Sequence, residues 1–226
     1  YGNRVGVFRL MDVLSNFKIR ATASVNSWIC DFHPEIVNEG MKRGWEFMGH
    51  GETNSHYLDA EPDAERQVIL ATLDRIERFT GVRPNGWVSP GVRLTWNTLD
   101  HLAEAGCRYV GDFTNDDQPY LMDLDGKRLV SVPYAYETND FPHFMRLNQS
   151  AKEFENKIRR EFDVLYRESA DSGRVMGISL HPFIIGVAHR IGALEAALEY
   201  ICGHDEVWLA TGSEIIEHFL ATTGES

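Results

Sequence analysis

The chain has 226 residues, 43% apolar and 25% charged, with 34 acidic against 22 basic side chains and a formal net charge of −12. That length suits one domain or one undivided α/β barrel, and the apolar share leaves room for a sizeable core. The acidity excludes a protein that grips nucleic acid through a basic, counterion-releasing face, and equally one that clings to an anionic membrane surface.

Residues 2–16 read as a helix, with Val5, Phe8, Leu10, Met11 and Leu14 at its apolar positions, and 19–25 as a strand. A helix follows His33-Pro34, where proline suits the first turn, and Gly40 and Gly44 close it. Strand 46–49 precedes the clearest helix, 61–80, which carries Val68, Ile69, Leu73 and Ile76 on one face and stops at Thr80-Gly81. Strand 86–89, helix 94–105 and strand 107–112 come next. The stretch 111–150 holds a strand at 129–132 and is otherwise a long irregular connection, a kind that is usually functional. Helix 151–169, strand 175–181, helix 190–202, strand 206–210 and helix 213–221 complete the chain. About seven strands alternating with helices imply a parallel sheet or barrel, and without a linker or repeat the whole of 1–226 reads as a single domain.

Cys30, Cys107 and Cys202 form no CxxC pair and lie in apolar stretches, so they are expected as buried free thiols in a reducing, cytoplasmic setting. No apolar run approaches the roughly 18 residues of a membrane span. The chain opens on Tyr1 rather than Met, directly in helical pattern, so a signal peptide would not be visible in it.

In parallel α/β folds, chemistry gathers at the C-terminal ends of strands. Strand 46–49 runs into His50-Gly51-Glu52-Thr53-Asn54-Ser55-His56, and strand 86–89 into Pro90-Gly91 just after Trp87. Strand 107–112 leads to Asp112 and then Asp116, Asp117 and Tyr120. Strand 129–132 leads to Asn139-Asp140, and strand 175–181 ends in His181-Pro182. His181 and His50 are the expected catalytic residues, because imidazole titrates near working pH, and both are expected to face one cavity. Trp87, Pro90, Glu52, Asn54, Asp116, Asp117, Tyr120, Asn139 and Asp140 are the expected substrate-binding residues, Trp87 as an apolar wall. For a metal, His50 is the first candidate and His56 a weaker one, since six positions separate them and do not share a helical face. His33 and His143 are read as loop residues, and Glu153 to Glu161 as a solvated helix face.

With those residues in place, the chain resembles the polysaccharide-deacetylase superfamily, nearest its allantoinase-like and cyclic-imide-hydrolase-like branch. The matching stretches are Tyr-Gly-Asn-Arg-Val-Gly at 1–6, Gly-His-Gly at 49–51, Thr-Gly-Val-Arg-Pro-Asn-Gly-Trp at 80–87 and Asn-Asp-Asp-Gln-Pro-Tyr at 115–120. Val-Pro-Tyr at 132–134, Asn-Asp at 139–140, Leu-His-Pro at 180–182 and Val-Trp at 207–208 complete them. The resemblance implies a distorted (β/α) barrel, hydrolysis of a non-peptide C–N bond, a general acid at His181, and His50 in the metal or substrate site. It also implies a first strand bearing acids, which would lie upstream of Tyr1. Metal-binding members carry a second histidine four positions after the first, where this chain has Asn54, so one divalent ion, zinc foremost, and a metal-free site both remain open. The leading expectation is hydrolysis of a small cyclic amide, imide or ureide. An N-deacetylase of amino-sugar polymers and a barrel retained for binding alone are the alternatives, and a homo-oligomer fits any of them.

Overall fold

The computed structural model describes residues 1–58 and 61–224, which fall into two compact units. One unit, residues 20–113, 119–132 and 210–226, holds the sheet; the other comprises residues 1–19, 114–118 and 133–209.

The sheet runs β1-β2-β3-β4-β6-β5, from β1 (Thr22–Val25), β2 (Glu46–Gly49), β3 (Gly86–Trp87), β4 (Tyr109–Val110), β5 (Tyr120–Leu124) and β6 (Lys127–Ser131). Strands β1, β2, β3, β4 and β6 pair in parallel, and only β5 is antiparallel to its neighbour β6. The helices of this unit are α2 (Ile29–Phe32), α3 (Pro34–Lys42), α4 (Pro62–Thr80), α5 (Thr98–Glu104) and α8 (Gly212–Thr223). The apolar face expected on α4 is real: Ile69 and Leu73 pack with Trp87, Leu102, Cys107, Val110 and Leu129, while Ile76 joins Cys30 and Val37. Proline opens α4, and Gly81, at φ 77°, closes it in the left-handed conformation that glycine tolerates.

In the other unit a single π-helical turn, Gly2–Gly6, leads into α1 (Val7–Asn16). Helix α6 (Ala151–Glu168) buries Phe154, Ile158, Phe162 and Leu165, and α7 (Ile191–Cys202) buries Leu194, Ala197, Leu198 and Ile201. A capping box starts α6, with Ser150 accepting from the Glu153 amide and the Glu153 carboxylate accepting from that of Ser150. Among the described residues, no helix is long and apolar enough to cross a membrane.

Several expectations need correction. Segments 175–181 and 206–210 are not strands; the first makes one isolated parallel bridge, Ser179 to Asn139, and the second makes none among the described residues. Beside 179–181 the pairing is confined to residues 138–140, too short for a ladder. The connection 111–150 is less irregular than expected, since it contains the β5–β6 hairpin. Its two-residue turn is Asp125-Gly126, with φ of 52° and 87°, the positive pair of a type I′ turn that suits strand twist. Cys202 is exposed, in contrast to the buried Cys30 and Cys107.

Candidate functional site

His181 is held by a carboxylate on a neighbouring stretch of backbone. Asp140 N–H donates to the Ser179 carbonyl at 3.0 Å and Ser179 N–H to that of Thr138 at 3.2 Å, so residues 138–140 run beside 179–181. This pairing places the Asp140 side chain under the histidine. One carboxylate oxygen accepts from His181 Nδ1 at 2.6 Å, and the other from the His181 backbone N–H at 2.8 Å. Asp140 is wholly buried, whereas the imidazole keeps 32% of its side-chain exposure. The ring lies between Phe141 and Phe183, at centroid distances of 5.7 and 5.8 Å. A carboxylate accepts both bonds, so Nδ1 carries a proton and Nε2 is the nitrogen presented toward the exposed side. Asp140, expected to touch substrate, is instead buried, with both carboxylate oxygens taken by His181.

Asn139 is buried too, and its amide ties the same loop together: Nδ2 donates to the Tyr134 hydroxyl at 3.1 Å and Oδ1 accepts from Phe141 N–H at 2.9 Å. Asp116 and Asp117 are exposed on a turn, where Asp116 accepts from the Gln118 amide and the Asp117 carbonyl from that of Val175. Glu161 departs from the solvated face expected of it. It is half-buried against Thr138, and burial first, then the charge of Glu137, pushes its carboxyl up to about 7. His143, expected in a loop, is enclosed between Phe144 and Phe154 with its Nε2 on the Ser150 carbonyl, and burial lowers its affinity for a proton.

In the sheet-bearing unit, His50 follows β2 and continues its pairing, its N–H donating to the Val25 carbonyl. Asn26 Nδ2 donates to the His50 carbonyl at 2.6 Å. The ring Nδ1 lies 2.6 Å from the carbonyl of Val88; a carbonyl only accepts, so Nδ1 carries the proton. The two glycines beside His50 have different causes. Gly51 sits at φ 68°, a conformation costly for other residues, whereas a side chain at Gly49 would run into the Trp87 ring. Trp87 is completely buried, so it packs the core and is not the pocket wall expected of it. Pro90 is buried and opens a short 3-10 turn over Gly51, and Tyr120 starts β5 opposite Ser131.

Glu52 accepts at 3.3 Å from the Trp28 indole and at 3.4 Å from Arg75, a partly exposed pair. Asn54 and His56 are exposed, and His56 Nδ1 is 3.1 Å from the Thr53 hydroxyl. Among the described residues no three His, Cys, Asp or Glu side chains gather closely enough to hold a metal ion. With an amide at position 54 and His56 turned to Thr53, the donors around His50 do not make up a three-ligand zinc site.

A strand-end acid outside the expected site residues is also held in this unit. Asp112, 5% exposed at the end of β4, accepts from the Ser89 amide at 2.7 Å and the Ser89 hydroxyl at 3.0 Å. That hydroxyl in turn accepts from the Trp87 indole at 3.1 Å. Burial pushes the Asp112 carboxyl from its ordinary 3.8 up to about 6, against the opposing pull of both Ser89 bonds. The unfolded chain therefore releases this proton near pH 3.8 and the folded chain near 6, so the native state binds the extra proton between those values. Asp112 should lower stability by about 3 kcal/mol as pH rises from about 4 to 6, with no further change above. Urea midpoints of the wild type and Asp112→Asn across that range check it: the gap between the two proteins should drift by that amount, and a constant gap refutes the assignment.

The chain as a whole is similar to known polysaccharide deacetylases. Residues 2–110 fit the polysaccharide deacetylase family model. A probable polysaccharide deacetylase of Pseudomonas aeruginosa PAO1 superposes with a TM-score of 0.91 at 30% identity, over 98% of this chain and 74% of that one. The Puue allantoinase superposes with a TM-score of 0.92, at the same 30% identity and the same 98% and 74% coverage. A peptidoglycan deacetylase of Helicobacter pylori is 24% identical over 97% of this chain and 85% of its own. The chain belongs to the polysaccharide deacetylase family. Its fold is of that family's distorted α/β barrel type, with six strands in a mixed sheet among the described residues where about seven were expected. It is a hydrolase of carbon–nitrogen bonds other than peptide bonds.

Proposed function

We propose that this chain is an N-deacetylase of acetylated amino sugars, with His181 as the general acid that protonates the departing nitrogen. The observation that carries the reading is the Asp140–His181 pair. Its buried carboxylate grips both Nδ1 and the backbone N–H of a histidine whose ring stays partly exposed. Water adds to the amide carbonyl, the C–N bond breaks, and the Nε2 proton passes to the amine as it leaves; acetate and free amine are the products. Asp140 holds the ring in one orientation and stabilises its positive charge before transfer. His50 serves as a second functional imidazole: the Val88 carbonyl accepts from its Nδ1–H, which leaves Nε2 as the nitrogen of the right polarity to accept a proton from water. The substrate class is supported by the deacetylases among the relatives.

A second reading, hydrolysis of a cyclic amide, imide or ureide, is favoured by the likeness to the Puue allantoinase. One panel separates the two: full-length protein is given acetylated chito-oligomers, a hydantoin and a cyclic imide, and acetate release and ring opening are followed. Acetate from the oligomers without ring opening is the expected result. Ring opening alone would overturn the deacetylase reading in favour of the cyclic one, and turnover of none would leave the barrel as a binding module.

A further inference from the structure

The carbonyl of Val88 and the N–H of Ser89 are two ends of one peptide group, which is planar and, like every peptide bond described here, not cis. They point in opposite directions and each is taken by a side chain. His50 Nδ1–H donates to the carbonyl at 2.6 Å, and the Asp112 carboxylate accepts from the amide at 2.7 Å. An anion accepting at the N–H draws charge through the amide and makes its carbonyl a better acceptor, since hydrogen bonds in series polarise one another. We propose that Asp112 is the positioning carboxylate of His50, acting through the Val88–Ser89 peptide group rather than by touching the ring.

Three further features support the relay. Ser89 and Trp87 are fully buried, so water does not compete for the central bonds. The peptide is also clamped by its neighbours, since Val88 N–H donates to the Gly49 carbonyl at 3.0 Å and Gly111 N–H to that of Trp87 at 3.0 Å. The Ser89 hydroxyl gives Asp112 a second anchor and is itself fixed by the Trp87 indole.

The inference rests on the reading of His50 as a functional imidazole, and the test separates the two. In proton and nitrogen NMR of the whole protein, Asp112→Asn should shift the His50 Nδ1–H resonance upfield and speed its exchange with water at least about tenfold. Ser89→Ala, which keeps the backbone bond to Asp112 but loses the hydroxyl, should move it the same way by less. Ile76→Ala, a core truncation in the Cys30–Val37 cluster, should leave it in place. In turnover, Asp112→Asn should lower kcat by about 10–100-fold with little change in KM, the usual cost of losing an outer-shell partner. If Asp112→Asn fails to fold, Ser89→Ala carries the test alone. An unmoved resonance in the folded variants, or an equal shift in Ile76→Ala, overturns the relay. Full turnover by His50→Ala would overturn only the functional role of His50, because the ring-proton comparison still decides what positions it.

Discussion

His181→Ala is expected to lower kcat for C–N cleavage by about 10²–10⁴-fold, the range that a positioned general acid supplies. An acid that delivers its proton only as the bond breaks contributes to the transition state and not to ground-state binding, so KM should stay near its wild-type value. Asp140→Asn should reproduce most of that loss while keeping the imidazole. The native carboxylate accepts two N–H groups of the same residue, Nδ1–H and the backbone N–H. An amide offers one oxygen and one NH₂, so one of those donors must face another donor. Either the ring turns over or the backbone bond opens, and in both cases the imidazolium loses the buried negative charge that stabilises it. The variant should also be less stable by about 1–3 kcal/mol, the cost of leaving one buried donor unpaired. Steady-state kinetics and urea unfolding of both variants check this together. If Asp140→Asn unfolds early yet turns over at the wild-type rate, Asp140 is scaffold and the proposed role of His181 loses its main support.

Asp140 and His181 are legible in the sequence only one at a time. Both residues were visible as polar groups after apolar runs, but their partnership spans 41 positions and depends on one short parallel pairing. Periodicity reports the local environment, and it has no means of saying which distant segment lies alongside. Helix α4 was legible because its 3.6-residue apolar repeat is long enough to be unambiguous and has proline and glycine at its ends. Segments 175–181 and 206–210 misled because a short apolar run resembles a strand whether or not a neighbour exists to pair with it. The β5–β6 hairpin has a readable signal in Asp125-Gly126, a short-range mark of a two-residue turn, but its flanks mix Leu124 with Asp123, Lys127 and Arg128, so the apolar alternation around it is weak. Asp112 could not be singled out in sequence, since its altered proton affinity comes from burial and from Ser89, 23 positions away.

Trp87→Ala should destabilise the protein by about 3–5 kcal/mol, the range for removing a large aromatic ring from a core. The indole is 0% exposed, packs with Ile69, Leu73, Leu102 and Val110, and lies over Gly49, where no side chain could remain beneath it. The surrounding helices and strands are joined to one sheet and can close only part of the resulting cavity. Trp87→Phe should cost less, because much of the ring volume stays and the main loss is the indole donor to Ser89. A pocket wall would behave differently: its truncation would raise KM with the unfolding midpoint nearly unmoved. Urea unfolding and KM measured on the same two variants therefore separate the roles. The ring also abuts Gly49 on β2, which is followed directly by His50, and it binds the Ser89 hydroxyl that anchors Asp112. Its loss should consequently disturb the His50 Nδ1–H bond even in molecules that remain folded, which makes this buried indole a support of the candidate site with no surface facing substrate.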